Sequence, residues 1–158
     1  MELTQPPRAT RPAGQSGNRA IGQRVSVGSD FREMAIWQES QAFAEMAGRL
    51  VLGLRRDRAA DPIGSQLIRA AGSVAANIAE GYGRFSQAAY RNHLSIARGS
   101  AFECESWLDL LMRLGYLSKE DCDDLMSKCV AVQKMLTVRM KSLHTARQTY
   151  ARPTGGTS

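Results

Sequence analysis

Few of the residues that do chemistry in other proteins stand here at a working spacing. The histidines are His93 and His144, and neither lies three residues from a glutamate. The Glu-x-x-His pairs of a di-iron bundle site are therefore missing. The cysteines are Cys104, Cys122 and Cys129, an odd set without C-x-x-C spacing. That points to neither a disulfide framework nor a zinc site. Each falls on an apolar helical stripe, where cysteine acts as a small hydrophobe. Glu103 with Glu105, and Asp123 with Asp124, are close in sequence. Residues one or two apart on a helix point in different directions, so neither pair suits acid/base work. Gly81-Tyr82-Gly83 hints at a nucleotide loop, but it follows a helical pattern rather than a strand, which makes it a helix stop. With no P-loop and no nucleophile elbow, we expect no catalytic, cofactor-binding or metal-binding residue, no cofactor and no enzyme.

The cations offer a different chemistry. Arg91 and Arg98 are seven residues apart, and Arg84 falls in line if the turn before them continues the spiral. Such a row could track phosphates. Its plain alternative is a solvated helix face, where arginines are ordinary. The chain carries 21 basic and 15 acidic residues, a net charge of +6. Only +2 of this lies in residues 31–143; residues 1–30 and 144–158 supply +2 each. A mildly basic folded part permits nucleic-acid binding without demanding it.

These residues must be positioned by helices, because the apolar pattern is helical and no segment alternates as a strand does. The first segment opens at Asp30 with Glu33, like a capping box, and carries Ile36, Phe43, Ala47, Leu50 and Leu54 to about Arg58. The second starts with Asp61 as N-cap and Pro62 at the first helical position, then Ile63, Leu67, Ala71, Val74 and Ile78, stopping at Gly81 and Gly83. The third starts at Ser86; Tyr90, Leu94, Ala97, Ala101, Cys104, Leu108 and Leu111 alternate steps of four and three until Gly115. The fourth starts at Ser118, with a stripe of Cys122, Leu125, Cys129, Val132, Leu136 and Leu143. Helices near 36–58, 62–81, 87–114 and 119–145 follow. Short connections make neighbours antiparallel. The expected fold is all-α: an up-down-up-down antiparallel four-helix bundle over residues 31–145. Residues 1–30 and 146–158, rich in proline and glycine, read as disordered N- and C-terminal tails. No apolar run reaches the roughly 20 residues of a membrane span, and no secretory leader is seen, so a cytoplasmic protein is expected.

The third segment is wider than its stripe. Ile96, Gly99, Trp107, Leu110 and Leu114 extend its apolar arc to roughly 200°, against the 100° or more of an ordinary amphipathic helix. A deeply packed helix would explain this, but the width favours a protein–protein interface. Glu103 lies inside the arc with Asn92 in line. A second face of the second segment carries Arg69, Ser73, Ala76 and Glu80, with Gly72 beside them. A buried acid needs a partner, and Arg69 could give Glu103 two parallel hydrogen bonds in a buried network. A homo-oligomer that covers Trp107, Leu110 and Leu114 is expected.

The chain also resembles a known family. Phe31-Arg32-Glu33 with Ile36-Trp37-Gln38, the run Ala75-Ala76-Asn77-Ile78-Ala79-Glu80-Gly81-Tyr82-Gly83-Arg84, then Ile96-Ala97-Arg98-Gly99-Ser100 with Glu103 and Glu105, and Leu114-Gly115-Tyr116-Leu117-Ser118 are similar to the bacterial four-helix-bundle proteins of 23S ribosomal RNA intervening sequences. The likeness covers about 31–143. It departs at Val74-Ala75-Ala76, where many relatives carry a proline, and in the acidic run from Glu120 to Asp124. The resemblance implies a cytoplasmic bacterial protein without an assigned catalytic residue. It also implies kinship with accessory proteins of diversity-generating retroelements, which form homopentamers and bind a reverse transcriptase and nucleic acid. RNA or DNA, a reverse transcriptase and four further copies of the chain are thus the implied partners. Asn77, Glu80, Gly81, Arg84, Gly99 and Glu103 are the positions it marks.

Overall fold

The computed structural model describes the backbone of residues 30–150 and the side chains of residues 30–143. Of the expected tails at 1–30 and 146–158, residues 1–29 and 151–158 lie outside the described residues. A 3-10 turn, Phe31–Glu33, precedes four helices: α1 (Ala35–Gly53), α2 (Ala60–Tyr82), α3 (Gln87–Arg113) and α4 (Lys119–Tyr150). No strand occurs among the described residues. Helix α1 packs on α2 and α4, and α3 packs on the same two, so the antiparallel bundle closes around one core. The stripes of α3 and α4 are buried at every expected position from Tyr90 to Leu111 and from Cys122 to Leu143. Phe43, Leu67, Ile78, Leu94, Leu108 and Leu136 fill the centre.

Local chemistry explains the helix ends. The Ser86 hydroxyl accepts from Ala89 N at 3.1 Å and starts α3. The Ser118 hydroxyl accepts from Asp121 N at 3.1 Å and donates to the Asp121 carboxylate at 2.7 Å. Helix α3 ends in a Schellman motif: Gly115 N donates to Met112 O and Tyr116 N to Leu111 O, at 3.0 and 2.9 Å. Gly115 takes φ +76°, which a residue with a Cβ rarely adopts.

The α1–α2 junction departs from expectation. Helix α1 stops at Gly53 instead of Arg58, and α2 begins at Ala60 rather than Pro62. The residue that organises the start of α2 is Asp57, not Asp61. Its carboxylate accepts from Ala59 N and Ala60 N, both at 2.9 Å. The chain must leave α1 early to bring Asp57 there. Asp61 sits inside the first turn and pairs with Arg56 at 3.5 Å. Pro62 remains in that first turn, where the missing N–H costs nothing.

Three smaller differences follow the same logic. Asp30 caps the 3-10 turn by accepting from Arg32 N at 3.1 Å, and α1 itself starts at Ala35, after Met34, without a side-chain cap. Helix α4 continues to Tyr150 rather than 145, because no glycine or proline interrupts it before Pro153. Gly81 does not stop α2, which runs to Tyr82; it is buried where α3 approaches.

Candidate interaction surfaces

Helices α2 and α3 are joined by a line of polar side chains. Asn77 Nδ2 donates to Ser73 O at 2.8 Å and to Ser73 Oγ at 3.0 Å. Ser73 Oγ lies 3.0 Å from Ser100 Oγ. Ser100 donates to Ile96 O at 3.2 Å, so Ser73 is the donor of that hydroxyl pair. At the other end Arg84 Nε donates to His93 Nε2 at 3.2 Å. The ring therefore accepts at Nε2 and donates from Nδ1 to Asn77 Oδ1, 3.4 Å away. Arg84 also pairs with Glu80. The line is possible because a Cβ on Gly81 would lie 2.7 Å from His93 Cβ and 2.9 Å from Tyr90 Cδ2. Asn77, Glu80, Gly81 and Arg84 are thus one device that seats the end of α2 against the start of α3.

The outer surface of these helices is a different matter. Arg69, Gly72, Ala76 and Glu80 are exposed along α2; Asn92, Gly99 and Glu103 are exposed along α3. Ile68, Ile96 and Leu114 are 41%, 46% and 52% exposed. Trp107 and Leu110 are half-buried. The expected buried pairing of Glu103 with Arg69 is absent: both side chains lie on the exterior, and the partner of Glu103 is Trp107, whose Nε1 donates at 3.2 Å. Packing within the chain also leaves Gly99 and Gly72 unexplained, since nothing lies within 4 Å of a Cβ built at either. A glycine inside a helix costs about 1 kcal/mol relative to alanine. No contact among the described residues offsets that cost.

The expected row of arginines is split. Arg84 is held at the α2–α3 junction by Glu80 of α2 and His93 of α3, because residues 83–86 form a turn and Ser86 is extended rather than continuing the spiral. Arg91 and Arg98 instead border α4. Arg91 lines a hollow with Gln87, Ala88 and Leu143. Arg98 lies 5.2 Å above the Phe102 ring and shares a hollow with Lys134 and Val138.

Some participants were invisible to motif reasoning. His93 has no metal-ligand spacing; its role comes from Gly81, which lets it meet Arg84. Phe102 lies off the heptad stripe, and its four-residue offset from Arg98 was the available signal. The cysteines behave as core residues: burial raises all three thiols above their usual range, Cys129 to about 12. Among the described residues no cluster of three or more His, Cys, Asp or Glu side chains could hold a metal ion. No described helix is long and apolar enough to cross a membrane.

Comparison with known proteins gives these surfaces a context. The chain is similar to a crystal structure from Bacteroides thetaiotaomicron, described as a protein of unknown function from the S23 ribosomal protein family. The identity is 29%, the match covers 67% of this chain and 95% of that one, and the TM-score is 0.64. No curated protein matches. The family model described as 23S rRNA-intervening sequence protein matches residues 32–138, from the turn before α1 into α4. That span includes the whole α2–α3 polar line and its glycines, and the chain belongs to this family of 23S rRNA-intervening sequence proteins.

Proposed function

We propose that the chain is a non-enzymatic accessory protein that assembles with copies of itself and associates with nucleic acid. The observation that carries this is the outer face of α2 and α3. Gly72, Ala76 and Gly99 are exposed on the same two helices as Ile68, Ile96 and Leu114. Small residues let a second backbone approach closely, and soluble monomers rarely leave such an apolar patch bare. A repeated head-to-tail contact between it and a second face gives a ring where the rotation from copy to copy closes. A count of five, and residence in the cytoplasm, rest on the family resemblance. Assembly would also multiply weak basic surfaces into an array, so a mildly basic protomer is no obstacle.

A second reading keeps the assembly without the nucleic acid: an interaction scaffold, for example an accessory subunit of a reverse transcriptase. It is favoured by Arg84, whose charge is taken up by Glu80. An RNA- and DNA-binding assay with a salt titration separates the two. The nucleic-acid reading expects log affinity to fall linearly with log salt, with a slope of about 0.9 per bound phosphate on duplex or 0.7 on single strands. No binding even at about 50 mM salt, where phosphate contacts hold far more tightly than at about 200 mM, would leave the scaffold alone.

A further inference from the structure

Cations elsewhere on the bundle are mostly neutralised. Arg49, Arg55, Arg113, Lys119 and Lys128 each pair with a carboxylate. Arg98 and Lys134 have no such partner among the described residues. They line one hollow between α3 and α4, together with Thr137 and Val138 of α4. Arg91, two helical turns before Arg98, borders the next hollow along α3. No carboxylate lines either hollow. Phe102 is 47% exposed and Val138 66% exposed in this groove. Phe102 thus leaves about half of its surface to water, with the Arg98 guanidinium 5.2 Å from its ring centre.

We propose that the α3–α4 groove, through Phe102, Arg98, Lys134 and Arg91, takes single-stranded nucleic acid. This rests on the nucleic-acid association proposed above and says where and in what form it occurs. The cations lining the two hollows are complementary to phosphate; Glu105, seven residues beyond Arg98 on the same line of α3, lies outside that lining. The apolar component decides between strand forms. Phe102 offers a face on which an unpaired base can stack, with the Arg98 guanidinium over the ring. A duplex keeps its base faces covered, so it would use the cations and not the ring. Arg91 and Arg98 are about 10 Å apart along the helix axis, so both can follow one extended strand.

The test uses the full chain with fluorescently labelled oligo-U, oligo-dT and a duplex of equal length, read by anisotropy across a salt series. The wild type should prefer the single strands. Phe102→Leu keeps an apolar side chain and should weaken single-strand binding about tenfold or more, with duplex binding unchanged. Arg98→Ala with Lys134→Ala should flatten the single-strand salt slope by about 0.7 for each phosphate no longer neutralised. Arg113→Ala, which removes a cation already paired with Asp109 outside the groove, should change neither. Circular dichroism melts check that each variant folds. If the wild type binds nucleic acid and Phe102→Leu binds single strands equally well, the groove proposal is overturned while nucleic-acid association stands. Equal losses on duplex and single strand overturn it too, as does a labelled oligo-glutamate peptide that displaces the strand from the groove and binds more tightly. If the wild type binds no nucleic acid of any form, the proposed association falls and the groove with it.

Discussion

The Tyr116 hydroxyl lies 2.9 and 2.8 Å from the two carboxylate oxygens of Asp57, a residue 59 positions earlier. This contact ties the α1–α2 connection to the α3–α4 turn at one end of the bundle. Backbone donation from Ala60, the Tyr116 hydroxyl and Ala59 together hold Asp57 down from 3.8 to about 2. A depressed carboxylate stabilises the fold above its unfolded value, and that contribution disappears as pH falls through the folded one. Asp57→Ala should therefore melt at lower temperature than wild type at neutral pH. The gap should close as pH drops from 3.8 toward 2. A gap that stays constant across that window would mean Asp57 acts by packing alone.

Two helical glycines should respond oppositely to alanine. Gly81→Ala forces a methyl into His93 and Tyr90, and overpacking of this kind costs about 1–3 kcal/mol. Gly99→Ala meets nothing in its own chain and should add about 0.5–1 kcal/mol of intrinsic helix stability. If the outer face is an interface, the same change weakens assembly. Denaturant melts and sedimentation of both variants check this pair. A neutral Gly81→Ala would contradict the close α2–α3 approach.

Leu108→Ala removes a fully buried side chain on the α3 stripe and should cost about 2–5 kcal/mol. Urea denaturation measures it. A loss near zero would place Leu108 outside the core.

The cysteine thiols should be inert in the native protein. Cys104, Cys122 and Cys129 are buried, and burial raises each thiol so that thiolate is scarce at neutral pH. Iodoacetamide followed by mass spectrometry should find no alkylation of native protein and three additions after unfolding. Rapid labelling of Cys122, the least deeply shielded, would show that the start of α4 opens.

The sequence carried more of the fold than of its contacts. Leu94, Leu108, Cys129 and Leu136 were assignable because each heptad position repeats a local rule. Ser86, Ser118 and Gly115 announced helix ends through chemistry within three or four residues. The α1–α2 junction was not legible, since the role of Asp57 depends partly on Tyr116, far away in sequence. The surfaces show the same division. A helical wheel set Glu103 inside the apolar arc and so expected it buried with Arg69; both are exposed and do not pair, because an angle names neither a neighbour nor a depth. The Arg84–Arg91–Arg98 row assumed a continuous spiral, which the turn at 83–86 breaks.

Self-assembly through the outer face of α2 and α3 is the central claim, and light scattering of the full chain at micromolar concentration and physiological salt tests it most directly. A closed multiple of the 17.3 kDa protomer is expected, five by the family resemblance. Leu110→Glu, which sets a charge beside Trp107 and Leu114, should release smaller species with helix content retained. A single mass near 17.3 kDa for the unmodified protein would contradict the account and leave that face as bare surface.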